Sequence, residues 1–355
     1  MGAIHRFTAS IAKNGIKATV EYSLKNRLLN NNFVRVLACF REVKKAFRIY
    51  CKLQIEYGGT IYWQFYKGTG DLMLSCAYIN KVALENKKAI FIVDGEHSYK
   101  CASMFELGMP IVAIKKGDYI AVNQFLRYIG VNNTNVRYVH YETGGVIYFF
   151  TNMRVIGLHG ISFVDMYKWY VFGNIDITIP RFKLRNSKSS IDKLFSDNGL
   201  QEGRTVILAP YNYSIDPSYN GHLDFWEALA RKLNENGFTV CTNVNDYEKE
   251  IAGTKKVFIE YSDLELFAQK AGFFIGIRNG LCDLISNVVG VYKVFVYPDV
   301  FWMSKKKEGL NIAKAIDVFS LTGMCRDSCL ELVLYPKEYM KIVNYIVLQV
   351  SGIDN

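Results

Sequence analysis

The chain has 355 residues, half of them apolar, 14% aromatic and 21% charged, a length beyond one ordinary domain and a composition that excludes wholesale disorder. Its net charge of +10 is uneven, because residues 1–54 hold eleven Lys and Arg against Glu21 and Glu42. No run approaches about 20 uninterrupted apolar residues and the N-terminus lacks the compact apolar stretch of a signal peptide, so neither a membrane span nor export is expected.

The basic segment, residues 1–56, has Phe7, Ile11, Ile16, Val20, Leu24 and Leu28, then Phe33, Val36, Leu37, Phe40 and Phe47, set among its Lys and Arg. This is helical spacing. Such helices either lie on anionic lipid or pack as a hairpin with a solvated basic face. No nucleic-acid reader motif accompanies the charge, and nucleic acid is not an expected partner.

From about residue 60 short apolar runs alternate with amphipathic stretches, the pattern of βα units around parallel sheets. Strands are predicted near 60–66, 89–93, 110–114, 136–140, 146–150 and 154–158, with helices over 71–86, 97–107 and 119–129. The polar, basic stretch 179–204 reads as a crossing between domains. "TVILAP" restarts the alternation, and the helix "HLDFWEALARKLNENG" ends on Asn236 and Gly237 as a left-handed cap would. Strand "FTVCTNV", strand "KVFIEY", helix "DLELFAQKAG", strand "FFIGIR", helix "CDLISNVVG" and strand "YKVFVYP" follow. A last apolar helix spans about 336–350. The eight cysteines are scattered without a CxxC pair. They read as reduced, mostly buried thiols, and although Cys325 and Cys329 are one helical turn apart, no metal is expected.

In a doubly wound sheet, ligands bind outside the carboxyl ends of the strands. "KGTGD" lies at such a place: Gly68 and Gly70 permit a tight turn or a close approach, and Asp71 opens the helix, either as a cap or as a reacting carboxylate. A dinucleotide fingerprint would need Gly where Met73 stands. Asp94, Glu96 and His97 follow the next strand and are candidates for an acceptor. "LAPYNYS" places Pro210, Tyr211, Asn212 and Ser214 at a strand end, where they meet phosphate oxygens or form an ordinary connection. Tyr261 and Ser262 follow another strand, Ser262 and Asp263 suiting a helix cap. In "FIGIRNGLCDLIS" a strand ends at Arg278, Asn279 and Gly280, and a helix begins near Leu281 with Asp283 in its first turn. Arg278 there suits a diphosphate, or else pairs with Asp283. His140 and His159 read as structural. No Ser-His-Asp arrangement, P-loop or HExxH is present.

These pieces together resemble a GT-B glycosyltransferase, and most of all the bacterial heptosyltransferase family of lipopolysaccharide core synthesis. "FYKGTGDLMLS" is similar to that family's opening strand, GD loop and helix; "LAPYNYS" with "HLDFWEALARKL" is similar to its donor-side loop and helix; "IGIRNGLCDLISNVVGVYKVFVYP" parallels its donor signature. The resemblance covers about 58–320. It implies two doubly wound Rossmann-like domains facing a cleft, behind the N-terminal basic helical extension: 57–185 on the acceptor side, 186–335 for the nucleotide-sugar donor, and a C-terminal helix, 336–355. It implies Asp71 as general base, an inverting attack, and a nucleotide-sugar as co-substrate with no further cofactor. The donor would lie on Pro210, Tyr211, Asn212, Ser214, Tyr261, Ser262, Arg278, Asn279, Gly280, Leu281 and Asp283. The acceptor, a glycan or a lipid-linked glycan of a surface polysaccharide, would lie on Gly68, Gly70, Asp94, Glu96 and His97. The expected location is cytoplasmic, at the inner face of the plasma membrane. Two departures stand out: Tyr219 falls where the family has a phosphate-binding Lys, which makes Arg278 the candidate replacement, and "NGLCD" replaces "SGPMH". A sugar-nucleotide epimerase of the same shape and a non-catalytic scaffold of polysaccharide assembly are the alternatives.

Overall fold

The computed structural model describes residues 32–64, 69–83, 88–129, 136–138, 165, 188–212, 222–298, 315–327 and 329–352. Helix α1 (Asn32–Tyr57) leads into strand β1 (Thr60–Trp63), helix α2 (Thr69–Ala83), strand β2 (Ala89–Asp94), helix α3 (Gly95–Ala102), strand β3 (Ile111–Ile114), helix α4 (Lys116–Ile129) and strand β4 (Val136–Tyr138). The predicted strands at 146–150 and 154–158, with His140 and His159, lie outside the described residues. The four strands form one parallel sheet in the order β3-β2-β1-β4.

Helix α5 (Lys188–Asp197) opens the second half. Strand β5 (Thr205–Ala209), helix α6 (Leu223–Glu235), strands β6 (Thr239–Asn243) and β7 (Lys255–Val257), helix α7 (Leu264–Ala271), strand β8 (Gly272–Ile277), helix α8 (Gly280–Ser286) and strand β9 (Tyr292–Pro298) follow. Helix α9 (Ala315–Phe319), strand β10 (Cys329–Leu334) and helix α10 (Tyr339–Ser351) complete it. The second sheet is also parallel, in the order β10-β9-β8-β5-β6-β7. Counted within its own half this is the dinucleotide-fold order 3-2-1-4-5-6, and the first sheet repeats its 3-2-1-4 portion. Each order reverses once, between β1 and β4 and between β5 and β8.

Continuous apolar runs are what a parallel sheet covered on both faces requires. Along the second sheet, side chains alternate between two cores. Val206, Leu208, Val240, Phe273, Ile275, Val294 and Val296 face α6 and α10 through Trp226, Leu229, Val343 and Ile346. Ile207, Cys241, Phe274 and Phe295 enter the other core, which Leu72, Met73, Cys76 and Cys101 of the first half also join. Each such side chain, fully buried, contributes about 1.5–3 kcal/mol. Helix α6 buries Phe225, Trp226, Leu229, Ala230 and Leu233 along one stripe, and Gly237 beyond it has φ 81°, the left-handed conformation read from its sequence.

Three differences from the sequence reading have physical causes. The stretch taken as a polar crossing contains α5, because Ile191, Leu194 and Phe195 share one helical face. The Phe195 ring lies 4.9 Å from Phe267, and Asp192 pairs with Lys270. Strand β7 stops at Val257, short of the predicted "KVFIEY", and Tyr261–Asp263 forms a 3-10 turn. Strand β10, not predicted, is an edge strand half-buried over most of its length.

The chain divides into two compact units, one built on α1 and α4 and the other holding both sheets. Helix α4, read from sequence as part of the first α/β domain, belongs with α1, and Lys45 pairs with Asp118 between them. Among the described residues, no helix is long and apolar enough to cross a membrane.

Candidate functional site

Within the unit of the two sheets, a cleft of about 600 Å³ lies among the loops that follow the carboxyl ends of the strands. Thr69 follows β1, and His97 and Lys100 follow β2. Ala209, Tyr211 and Asn212 end or follow β5; Asn243, Val244, Asn245 and Glu248 end or follow β6; Phe258, Ile259, Glu260 and Tyr261 follow β7; Asn279, Gly280 and Leu281 follow β8. The β5 and β8 loops flank the point where the strand order reverses, the place where open α/β sheets bind ligands.

Those two loops brace each other. The Asn212 amide, 3% exposed, donates to the Arg278 carbonyl, and the Asn279 amide donates 2.7 Å to the Tyr211 carbonyl. Asn279 Oδ1 in turn accepts from the backbone N–H of Leu281 at 2.9 Å and of Cys282 at 3.1 Å, capping α8. One asparagine therefore holds both the loop and the helix start.

Arg278 and Asp283, read as donor ligands or as a pair, form a pair. Arg278 Nη2 donates to Asp283 Oδ1 at 2.6 Å and Nη1 to Oδ2 at 3.1 Å. Nη1 also reaches the Asn279 carbonyl at 2.8 Å and Nε the Phe319 carbonyl at 3.0 Å. Four of the five guanidinium N–H groups are thereby taken. The two side chains are 10% and 5% exposed, and neither lines the cleft. Burial alone would drive the proton off Arg278, but the Asp283 carboxylate, with further help from Tyr297 and Cys282, holds it on. Burial lifts the Asp283 carboxyl above its ordinary value, Arg278 opposing. Of the two readings of Arg278, the structure shows the pair with Asp283.

The same carboxylate explains Gly70. A Cβ on Gly70 would overlap Asp283, and one on Gly280 would come within 2.7 Å of Thr69 Cβ. The glycine of "KGTGD" allows a close approach of α2 to α8 rather than a left-handed turn. Cys101 is nearby, its thiol pushed up to about 12 by burial and then by the Asp283 charge.

The other expected residues divide. Tyr211, Asn212, Tyr261, Asn279, Gly280, Leu281 and His97 line the cleft. The His97 and Tyr261 rings meet edge-on, 5.8 Å apart. The Tyr261 hydroxyl is raised by burial and then by Cys101, while a hydrogen bond with Thr69 acts the other way. Asp71 stands half-buried in the first turn of α2, two residues beyond Thr69, its carbonyl accepting from Ser75 Oγ. Pro210 and Asp94 are buried outside the lining, Asp94 as the N-cap residue of α3. Glu96 is exposed, 3.7 Å from Lys100. Ser262 lies in the 3-10 turn, and the Asp263 side chain, expected to cap α7, makes no cap hydrogen bond. Gly68 and Ser214 lie outside the described residues, as does Tyr219.

Sequence reasoning missed Lys100, Asn243, Asn245, Glu248, Phe258 and Glu260. Each but Lys100, which lies in α3, ends or follows a strand of the second sheet, and β7 ending at Val257 leaves Phe258 and Glu260 in the loop that lines the cleft. Among the described residues, no group of three or more His, Cys, Asp or Glu side chains is placed to hold a metal ion.

No protein-family model matches the chain, and no curated protein does. Among solved structures, it is similar to the E. coli ADP-heptose LPS heptosyltransferase II, at 12% identity and TM-score 0.47 over 82% of this chain and 99% of that one. It is similar to a glycosyl transferase family 9 protein from Veillonella parvula, at 10% identity and TM-score 0.49 over 82% and 97%. It is also similar to E. coli heptosyltransferase WaaC with ADP, at 8% identity and TM-score 0.46 over 82% and 99%.

Proposed function

We propose that the protein is a glycosyltransferase that moves a sugar from a nucleotide-sugar donor to a glycan or lipid-linked acceptor of surface-polysaccharide synthesis. The observation that carries the reading is the cleft at the strand-order reversal, lined by loops of both parallel sheets. Phe258, 57% exposed at its edge, offers a face for a nucleobase, and Glu260 beside it an acceptor for ribose hydroxyls. His97 and Lys100 are, among the described lining residues, the side chains able to carry positive charge. With Arg278 occupied, they replace it as the cations for a diphosphate leaving group.

Asp71 is the proposed general base. A sugar hydroxyl is a poor nucleophile, and a carboxylate within reach accepts its proton as the hydroxyl attacks the anomeric carbon. Attack from the side opposite the diphosphate inverts that centre.

The basic N-terminal segment supplies the proposed membrane contact. On α1, Phe47 and Ile55 are 52% and 87% exposed among the exposed Lys44, Arg48 and Lys52, an apolar stripe with a cationic border suited to anionic lipid.

The test is a panel of nucleotide sugars with candidate acceptors, scored for free nucleoside diphosphate. Wild type releases it when an acceptor is present, while Asp71→Asn binds the donor but does not turn it over. Conversion of the donor without any acceptor would favour the epimerase, and no binding of any nucleoside diphosphate would refute the reading.

A further inference from the structure

A second chemical site lies at the far edge of the second sheet, away from the cleft. Lys293, the second residue of β9, is 0% exposed, and among the described residues its Nζ has no hydrogen-bond partner. Among the described residues it pairs with Asp327 at 3.5 Å, a carboxylate that also accepts from the Gly290 N–H at 2.7 Å. The residue opposite Lys293 in the ladder of β9 with β10 is Cys329, and opposed residues of neighbouring strands project to the same face. Cys329 is hydrogen-bonded to Cys325 on the loop before β10, and both are half-buried rather than sealed in the core.

The hydrogen bond from Cys325 lowers the Cys329 thiol, burial and Glu331 opposing while Lys293 and Thr322 assist. The Cys325 thiol is raised by the bond to Cys329 and by burial. The two thiols are in contact and half-buried, with Cys329 opposite Lys293 in the ladder, which separates them from the buried thiols Cys76, Cys101, Cys241 and Cys282.

We propose that Cys325 and Cys329 form a thiol–disulfide exchange site whose substrate is a low-molecular-weight disulfide. The Cys329 thiolate attacks one sulfur of the disulfide RSSR, forming a mixed disulfide and expelling RS⁻, which takes a proton from solvent. Cys325 gives up its proton and attacks the Cys329 sulfur, so that the second RS⁻ leaves and is protonated. The two protein thiols are oxidised to one disulfide and RSSR is reduced to two RSH. This site is independent of the reaction proposed for the cleft.

The experiment uses the full-length reduced protein and glutathione disulfide at neutral pH, with acid quench, maleimide blocking, trypsin and mass spectrometry. Arg326 lies between the two cysteines, so trypsin sends them into different peptides and a disulfide is read as a linked pair. Wild type should give that pair, with Cys329 reacting about tenfold faster than the half-buried Cys51. Cys325→Ser should stall as the mixed disulfide on Cys329, and Cys329→Ser should leave Cys325 unmodified over the same time. Lys293→Met should slow the reaction by about tenfold. Absence of the linked pair in wild type, or equal reactivity of Cys51 and Cys329 there, overturns the proposal without reference to any variant. Unchanged kinetics in folded Lys293→Met overturns the role of the lysine.

Discussion

Replacing Arg278 with Met leaves the Asp283 carboxylate, 5% exposed, without its partner. If that carboxylate stays charged, the cost is about 3–5 kcal/mol. If it takes up a proton instead, holding an ordinary Asp neutral at pH 7 costs about 1.4 kcal/mol for each of roughly three pH units, about 4 kcal/mol. The two routes agree, so a loss of about 4 kcal/mol at pH 7 is expected. The sign of its pH dependence follows. Unpaired, Asp283 has a folded-state pKa raised well above its unfolded one, so the stability it permits is present in acid and lost as pH rises. Lowering the pH from 7 to 5 should therefore recover about 2–3 kcal/mol of the deficit. Urea unfolding followed by tryptophan fluorescence at both pH values measures it, with Arg278→Met/Asp283→Leu as the variant that should regain most of the loss. A deficit under about 1 kcal/mol, or one equal at both pH values, would refute the reasoning. The folded variant should also bind a nucleoside diphosphate within about threefold of wild type, because Arg278 does not line the cleft. A loss above about thirtyfold would put Arg278 on the phosphates after all.

Gly70→Ala should cost about 1–3 kcal/mol in urea unfolding, since the new methyl meets the Asp283 carboxylate in a packed interface. Asn279→Ala removes the cap of α8 and the brace to Tyr211 together and should cost about 2 kcal/mol by the same measurement. Lys100→Ala combined with His97→Gln should weaken a nucleoside diphosphate by about tenfold in calorimetric titration and leave the bare nucleoside unaffected. Equal weakening of both would move those two side chains off the phosphates. Phe195→Ala, in the helix that replaced an expected crossing, should cost about 3–5 kcal/mol.

The sheets were legible because they are the apolar part of the problem. "AIFIVD", "TVILA", "GFFIGI" and "YKVFVYP" are buried almost throughout, and such runs leave their mark in any window of sequence. Helix α6 was legible for a related reason, its apolar stripe and terminal glycine both being local. Helix α5 was not: three apolar residues among Lys, Ser and Asp give a weak pattern, and what holds it is the ring of Phe267 and the charge of Lys270 from α7. Strand β10 carries Glu331 at its centre, a poor strand signal. That carboxylate is accounted for by tertiary partners, accepting from the Leu321 N–H and the hydroxyls of Tyr297, Ser320 and Thr322.

The site divides along the same line between local and distant causes. That loops after strands would supply its residues follows from the fold alone, so Tyr211, Asn212, Tyr261 and Asn279 were within reach of sequence. Which polar side chains turn inward does not. Arg278 and Asp283 are close in sequence, and both outcomes left open for them were chemically sound; their pairing goes with desolvation in a packed interface whose other side is Gly70 and α2. Once the pair closes, it fixes more than itself. It takes the guanidinium from the ligand, makes any side chain at Gly70 a clash, and leaves His97 and Lys100 as the described cations facing the cleft. Whether the diphosphate charge is met by Arg278 or by His97 and Lys100 is what the titrations of Arg278→Met and of Lys100→Ala with His97→Gln separate.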